Sequence, residues 1–536
     1  MRTSYATLND VFCEAREQYP DSTAIIFNDE KYTFSELDTL VQKIAAFLYS
    51  KDVRKGEKAA IYLPHMPEWV AAWLALQRIG AIAVPVTHFY GHEELAYIVK
   101  DCNAATVFCT GKNLDQVIKA SEDYPLKRII VIDGDGQESV TTSSLPETEI
   151  ILMNSILDVD IASALPSIDM EYTGTAEILY TGGTTGFPKG VPLSHFLLLT
   201  AMKVKRDEYE PLVPKGKGVA IQGAPLNHIL GQELGLGALL SGDTMVILPR
   251  MDLEILFEHI EKCSVTTFFG TPTLCRMILE DERLDKYDAS SLKYVFTAGE
   301  ALPGEVARKW KEKFNHLLYN GLGSTETCGG ITGIPVGEPY PDGTCGKVVY
   351  TKTVKLINPD TLEPAGVNEP GELYVASENM VAKYWNKPEE TALHFKTIDG
   401  KLWYCTGDIV RIDEEGWVFF VDRSVDMIKH KGYRVAAIKV EGVLYKHEAV
   451  LECCVIGVPD EKVGETVKAF IVLKEGKQNT TAEELIEWCK QSLASYEVPG
   501  SIEFQDSLPK SPVGKILRRL VRNEEREKMK IDKQTG

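Results

Sequence analysis

The chain has no surplus of positive charge: 58 Lys and Arg stand against 78 Asp and Glu, leaving a formal charge of −20 over 536 residues. That excludes a uniformly basic surface of the kind that holds a nucleic-acid backbone, though not a locally basic nucleotide pocket. Its eleven cysteines include no Cys-x-x-Cys pair and no finger-like spacing; Cys453 and Cys454 adjoin and the rest are scattered. The pattern argues against a disulfide scaffold and for a reducing compartment. No long hydrophobic run is present. The most apolar window, Trp69 to Val86, carries Gln77 and Arg78 and is broken by Gly80 and Pro85, so it reads as a buried helix leading into a strand and not as a transmembrane segment. Met1–Tyr5 lack a secretory apolar core, and Lys533-Gln534-Thr535-Gly536 is not the peroxisomal Ser-Lys-Leu address. The expected location is cytoplasmic. Internal repeats and low-complexity blocks are absent as well.

What is present is an ordinary globular composition, 44% hydrophobic and 25% charged, in a chain too long for one core. Strand-like and helix-like stretches alternate: Lys58–Tyr62 precedes Pro67–Ile79, Ala105–Cys109 precedes Leu114–Ala120, and Arg128–Ile132 follows. Val219–Gln222, Thr244–Leu248, Thr266–Phe269 and Tyr294–Thr297 continue the series. This rhythm predicts an α/β fold with parallel-rich sheets covered by helices. Beyond Tyr340 it gives way to short strands with Gly and Pro turns (Gly346–Ile357, Gly371–Val375, Gly416–Val421), a β-rich subdomain. A boundary is expected near Asp422–Asp426, dividing the chain into residues 1–422 and 423–536. The second part reads as a small α+β domain with helix Lys439–His447, strand Glu452–Val458 and helix Ala482–Ser492. The tail after Lys515 carries seven Lys/Arg against four Asp/Glu and is expected to be a solvated helix.

The most informative stretch is Tyr180–Gly190, Tyr-Thr-Gly-Gly-Thr-Thr-Gly-Phe-Pro-Lys-Gly, directly after the strand-like Ala176–Leu179. Glycines remove the Cβ atoms that would block approach, so backbone N–H groups, threonine hydroxyls and the Lys189 ammonium can gather around a phosphate. The Walker A loop is excluded by spacing, since Lys189 follows a proline and precedes a glycine. A Gly/Thr-rich surface turn is the bland alternative. The stretch resembles the phosphate loop of the adenylate-forming superfamily, which comprises acyl-CoA synthetases, amino-acid adenylation domains and beetle luciferases. Gly323-Ser324-Thr325-Glu326, Tyr404–Asp408 and Ser511–Lys515 match further motifs of that family in the same order, and the overall likeness is strongest to fatty-acyl-CoA synthetases.

Adenylation is attack of a carboxylate oxygen on the α-phosphorus of ATP, with pyrophosphate leaving. Both reactants are anions, so the site needs a divalent cation, several donors and a movable positive charge. The resemblance implies ATP, Mg²⁺ and coenzyme A as cofactors and co-substrates, and it assigns roles. Thr181, Gly182, Gly183, Thr184, Thr185, Gly186 and Lys189 handle the β- and γ-phosphates, with Gly182 where the family often has serine. Glu326 is the Mg²⁺ ligand, magnesium preferring one or two carboxylates with phosphate oxygens and waters, and Thr325 donates to the α-phosphate. Without the other motifs, the favoured reading is a helix N-terminus with Ser324 or Thr325 as cap and Glu326 in the first turn, and the two roles are compatible. Gly299, Glu300, Leu322, Gly323 and Ser324 surround adenine, with Leu322 where the family often has an aromatic ring. Asp408, expected just beyond a strand end, and Arg423 hold the ribose hydroxyls. Lys515, otherwise a solvated lysine, bridges the reacting carboxylate and the α-phosphate. The second domain implied by the family is a mobile lid pivoting in Asp422–Asp426, which has Val425 where the family commonly has a charged residue. After the first half-reaction, Gly432 of that lid would line the pantetheine tunnel.

His228 belongs to a Pro225–Gly231 segment that resembles the mouth of the acyl pocket; the alternative is a packed, hydrogen-bonded histidine. No aspartate occurs in Leu226–Leu234, which disfavours an amino-acid substrate, and Glu233 is either a solvated helix residue or a substitute partner. Ile229, Leu230, Leu234 and Leu236 with Gly231 and Gly235 read either as a roomy apolar wall or as tight helix packing. The expected activity is an AMP-forming acyl-CoA synthetase acting on a medium- or long-chain fatty acid, or on an aryl or alicyclic acid. Alternatives are a carrier-protein acceptor, a luciferase-like oxygenase, and a nucleotide-binding regulator that has lost catalysis.

Overall fold

The computed structural model of the protein describes residues 6–132, 147–157, 165–166, 168–181, 188–300, 302–359, 361–424, 426–430, 433–460, 464–510 and 516–535. Two compact units are present: residues 1–353 with 375–404, and residues 354–374 with 405–536.

The first unit is built on two seven-stranded sheets. One runs in the order Leu318–Gly321, Tyr294–Ala298, Thr267–Gly270, Val219–Gln222, Thr244–Ile247, Thr23–Phe27, Glu30–Thr33, parallel up to its last, antiparallel pair. The other runs Glu149–Leu152, Arg128–Ile132, Ala104–Thr110, Lys58–Tyr62, Ile82–Pro85, Thr175–Thr181, Lys189–Ser194, again parallel except for its last pair. Strands Tyr294–Ala298 and Arg128–Ile132 are buried at every residue, as continuous apolar strands covered on both faces should be. The Trp69–Val86 window forms helix Pro67–Arg78, opened by a proline at its first turn, and strand Ile82–Pro85. Trp69 to Gln77 are buried; Trp73 Nε1 donates to Glu177 Oε2 at 2.9 Å and Gln77 Nε2 to the Ala176 carbonyl at 3.2 Å, while Trp69 Nε1 and Gln77 Oε1 are buried without a partner among the described residues.

In the second unit, strands Thr353–Ile357, Gly371–Ala376, Lys401–Ile412 and Trp417–Arg423 are neighbours in that order. A second sheet orders Tyr433–Val435, Ile428–His430, Gly464–Leu473 and Val450–Asp460, with Ser501–Phe504 parallel to Gly464–Leu473. Ile428, Val440, Leu444, Val455, Ala469 and Leu485 form its core under helices Ala437–Leu444 and Ala482–Lys490.

Two expectations are corrected. The single strand read over Gly346–Ile357 is two, Thr344–Val348 and Thr353–Ile357, separated by a turn in which Lys352 N donates to the Val349 carbonyl at 3.0 Å. The tail does form helix Arg518–Thr535, but it is not simply solvated. Val521 is buried, and Arg518 donates to Asp426 Oδ2 at 2.9 Å and to Glu441 Oε2 at 2.7 Å, drawing one side of the helix onto the domain. None of the eleven cysteines forms a disulfide. Among the described residues, no helix is long and apolar enough to cross a membrane.

Candidate active site

The predicted phosphate loop joins strands Thr175–Thr181 and Lys189–Ser194, which pair antiparallel with Thr181 opposite Lys189. It therefore connects two strands, whereas a Walker A loop leads from strand to helix. Thr181 Oγ1 donates to the Lys189 carbonyl at 3.4 Å. Gly182, Gly183, Thr184, Thr185 and Gly186 lie outside the described residues, as do Val425, Gly432 and Lys515.

Three predicted segments, with Thr271 beside them, share one edge of the first sheet, because parallel strands present all their carboxyl ends together. Gly299 and Glu300 follow strand Tyr294–Ala298, and Leu322–Glu326 follow its neighbour Leu318–Gly321, with Ala298 in register with Gly321. Thr271 follows Thr267–Gly270, and Pro225–His228 follow Val219–Gln222. Glu300 is already engaged. Its Oε2 accepts from Thr273 N at 3.2 Å and Thr273 Oγ1 at 2.6 Å, at the start of helix Pro272–Glu280. Leu322 is half-buried and its N–H donates to Thr332 Oγ1 at 3.0 Å, while Gly323 is exposed.

Thr325 and Glu326 do not open a helix. They occupy the turn of a hairpin between Gly323–Ser324 and Gly329–Gly330, closed by Cys328 N donating to the Thr325 carbonyl at 3.0 Å. Ser324 Oγ accepts from Thr327 N at 3.2 Å and fixes the turn. Gly329 has φ +92°, and a Cβ there would lie 2.6 Å from the Glu233 carboxyl carbon, so glycine is needed on both counts.

Thr325 and Glu326 are buried. Glu326 Oε1 accepts from Tyr384 Oη at 2.8 Å, and the Glu326 carbonyl accepts from Val381 N at 3.1 Å. Among the described residues, Oε2 of Glu326 has no hydrogen bond or ion pair, so one carboxylate oxygen remains for a hard cation. The Lys189 ammonium lies 4.5 Å from the Tyr384 ring centroid. Tyr384 thus touches both the lysine of the phosphate loop and the carboxylate read as the metal ligand. Burial and the Glu326 charge hold its phenol far above the ordinary range, so it stays protonated as a donor. Sequence reasoning missed Tyr384, which lies 58 residues from its partner.

In the second unit, Asp408 lies inside the twelve-residue strand Lys401–Ile412 and not beyond a strand end. The preceding Gly407 has φ +74°, which kinks the strand locally. Asp408 N donates to Thr406 Oγ1 at 3.0 Å, and Thr406 Oγ1 donates to the Leu373 carbonyl at 2.9 Å. The Asp408 carboxylate is buried, with Oδ1 2.7 Å from Arg423 Nε, while half of the Arg423 side chain reaches solvent. The structure brings these two predicted ribose contacts together.

His228 is exposed, and its Nδ1 accepts from Leu230 N at 3.2 Å, capping the short helix Ile229–Gly231. Its segment is held by His65, whose Nε2 accepts from Leu226 N at 3.2 Å. Burial lowers the His65 pKa to about 4, so this ring remains a neutral acceptor. Gly231 and Gly235 are packing positions: a Cβ would lie 2.1 Å from the Pro225 carbonyl oxygen at the first and 2.4 Å from Gln222 Nε2 at the second. Glu233 is not a solvated helix residue. A π-turn over Gln232–Leu236 carries it, its carboxylate is buried, and Oε1 accepts from Gly330 N at 3.3 Å.

A phosphate-loop motif between two paired antiparallel strands, a Thr-Glu turn at the carboxyl ends of parallel strands and a buried aspartate against Arg423 are the features of an adenylate-forming enzyme. The chain belongs to that family: residues 12–385 match the AMP-binding enzyme family, and residues 439–515 match the AMP-binding enzyme C-terminal domain. It is 33% identical to a long-chain-fatty-acid–CoA ligase of Bacillus subtilis (strain 168), over 97% of this chain and 95% of that one. It is 29% identical to 4-coumarate–CoA ligase 1 of Arabidopsis thaliana, over 92% and 87%. Among solved structures, an anthranilate CoA ligase in complex with anthranoyl-AMP superposes with a TM-score of 0.88 at 26% identity, covering 99% of this chain and all of that one. The protein is an ATP-dependent acid–thiol ligase that makes an acyl-AMP and transfers the acyl group to CoA.

Proposed function

We propose that the acid is a medium- or long-chain aliphatic carboxylate, with an aryl or alicyclic acid as the second reading, and that the reaction runs in the cytoplasm. What supports an uncharged chain is the absence of aspartate from Leu226–Leu234 and the names of the relatives, which include both fatty-acid and 4-coumarate ligases.

The observation that carries the catalytic reading is the contact of Tyr384 with both Glu326 and Lys189, which joins a cation-binding carboxylate to a phosphate-binding ammonium. In this reading Glu326 would hold Mg²⁺, which would supply charge neutralisation for the phosphates. Thr181, the Gly182–Gly186 stretch and Lys189 bind the β- and γ-phosphates, and Thr325 donates to an α-phosphate oxygen. Gly299, Leu322, Gly323 and Ser324 shape the adenine site, with Glu300 acting through the strand end that it ties to Thr273. Asp408 accepts from the ribose hydroxyls, with Arg423 Nε 2.7 Å from its Oδ1 to hold the carboxylate in place. Lys515 neutralises the carboxylate as it attacks the α-phosphorus. A lid of residues 423–536, pivoting in Asp422–Asp426, then presents Gly432 to the pantetheine arm, and His228 stands at the acyl mouth.

Pyrophosphate release from Mg-ATP, measured over straight-chain, branched and aromatic acids with and without CoA, tests this reading. Turnover that needs CoA and peaks at one aliphatic length is expected. A preference for aromatic acids would install the second reading, and a single CoA-independent burst would make a carrier protein the acceptor.

A further inference from the structure

Directly behind the Thr-Glu turn lies a small chamber of about 10 Å³, room for a single water, lined by Val204, Glu233, Cys328, Gly330, Lys352 and Asn379 among others. Its position follows from the chain. Lys352 Nζ donates at 2.7 Å to the carbonyl of Thr327, the residue next to Glu326, and also to the Asn379 carbonyl. Val204 belongs to helix His195–Tyr209, which continues from the strand that starts at Lys189. On the third side, Glu233 is five residues along from His228, roughly 7 to 8 Å at 1.5 Å per residue. The chamber is therefore flanked by the phosphate loop's helix, the Thr-Glu turn and the acyl segment.

Its lining sets Glu233, Lys352 and Asn379 beside the apolar Ala201, Val204 and Cys328, so it is not a purely hydrocarbon pocket. Glu233 is 6% exposed, and the π-turn aims it at the Gly329–Gly330 strand, where only glycine leaves room for it. The Lys352 ammonium faces the same space from the turn that breaks the predicted strand. Asn379 Oδ1 is buried without a partner. Lys205 also acts on Glu233, but it is engaged with Glu208 at 2.7 Å. Burial disfavours both charged forms here, raising Glu233 to about 7 and lowering Lys352 to about 8. A methyl terminus placed against such groups would remove their remaining hydration and return nothing. A hydroxyl can donate to the carboxylate, accept from the ammonium and displace one water without loss of hydrogen bonds.

We propose that this chamber ends the acyl site, and that Glu233 and Lys352 select a carboxylic acid bearing a hydroxyl group along or at the end of a medium-length chain, over the plain hydrocarbon acid. The proposal rests on the acyl-CoA ligase reading and narrows its substrate. Sites built to hydrogen-bond a substrate hydroxyl discriminate strongly against the analogue that lacks it, because the buried partners are left unpaired.

The test is CoA-dependent pyrophosphate release by the full-length enzyme with linear acids from four to twelve carbons and their ω-hydroxy and 3-hydroxy counterparts. At one length, kcat/KM is expected to favour a hydroxy acid by at least tenfold, and Lys352→Met and Glu233→Leu should each collapse that ratio toward one. Lys352→Met is included because a change at the more deeply buried Glu233 can fail to fold. Plain and hydroxy acids used equally at every length by the wild type, or a ratio unchanged in a folded variant, would overturn the assignment. Failure of every acid to release pyrophosphate would overturn the ligase reading, and this one with it.

Discussion

Replacing Tyr384 by phenylalanine removes one oxygen and leaves the ring. The lost interaction is the 2.8 Å hydrogen bond to the buried carboxylate of Glu326, whereas the Lys189 ammonium keeps an aromatic face at 4.5 Å. Hydrogen bonds to charged groups contribute roughly 1.5–3 kcal/mol, a factor of about 12 to 160. Partners that orient metal ligands typically change metal affinity or activity by roughly 10–100-fold. The two estimates agree on one to two orders of magnitude. The assay is the Mg²⁺ dependence of pyrophosphate release at saturating acid and fixed ATP. Tyr384→Phe should need about 10–100-fold more Mg²⁺ for half-maximal rate, with the KM for the acid unchanged. Tyr384→Leu should add a further few-fold loss in ATP affinity, since a cation–π contact is worth about 0.5–1 kcal/mol or more. A phenylalanine variant with the wild-type Mg²⁺ profile would refute the argument that Tyr384 positions the ligand.

The remaining predictions concern other parts of the site and the core. Asp408→Asn keeps the shape but removes the charge that Arg423 faces at 2.7 Å; the KM for ATP should rise about tenfold or more, and the preference for ATP over 2′-deoxy-ATP should shrink toward one. Burial raises Glu177 from 4.5 to about 7, so the folded state binds the extra proton. Its contribution is fully present below about pH 4.5 and is lost as pH rises through about 7, at about 3 kcal/mol in all. Glu177→Gln, which can still accept from Trp73, should therefore gain thermal stability relative to wild type between pH 5 and pH 8; a constant difference in melting temperature would refute this. Lys515→Ala should slow adenylation several-hundred-fold, from about 3–4 kcal/mol of lost transition-state stabilisation, and spare thioester formation from supplied acyl-AMP. Gly432→Leu should do the reverse, and a normal thioester rate in that variant would remove Gly432 from the tunnel.

Much of the site was legible because its motifs are contiguous. Thr181 and Lys189 are eight residues apart and end as hairpin neighbours, and Tyr294–Thr297 was read as a strand, at whose end Gly299 stands; strand Leu318–Gly321, ahead of Leu322, was not read. The parts that were not legible depend on contacts distant in sequence. Tyr384 reaches Glu326 across 58 residues, and His65 reaches Leu226 across 161; neither partner has a local pattern that announces it. The Thr325–Glu326 turn was open to reading as a helix start because Ser, Thr and Glu suit a cap. The positive φ of Cys328 and Gly329 decided for a hairpin, and Gly329 in turn makes space for Glu233. The Gly231 and Gly235 spacing fitted both an open wall and tight packing until the Pro225 carbonyl and Gln222 were seen to fill the space. Glu233 read as a solvated acid because a helical period of 3.6 does not foresee a π-turn, which rotates one residue inward.

The central claim is that a carboxylate oxygen attacks the α-phosphorus of ATP and that CoA later displaces AMP from the acyl carbon. Incubating the enzyme with Mg-ATP, CoA and a turned-over acid labelled with ¹⁸O in its carboxylate tests it directly, by mass spectrometry of the nucleotide and phosphate products. One ¹⁸O in AMP and none in pyrophosphate is the predicted result. Label in orthophosphate, with ADP as the nucleotide product, would show attack at the γ-phosphorus and contradict the account.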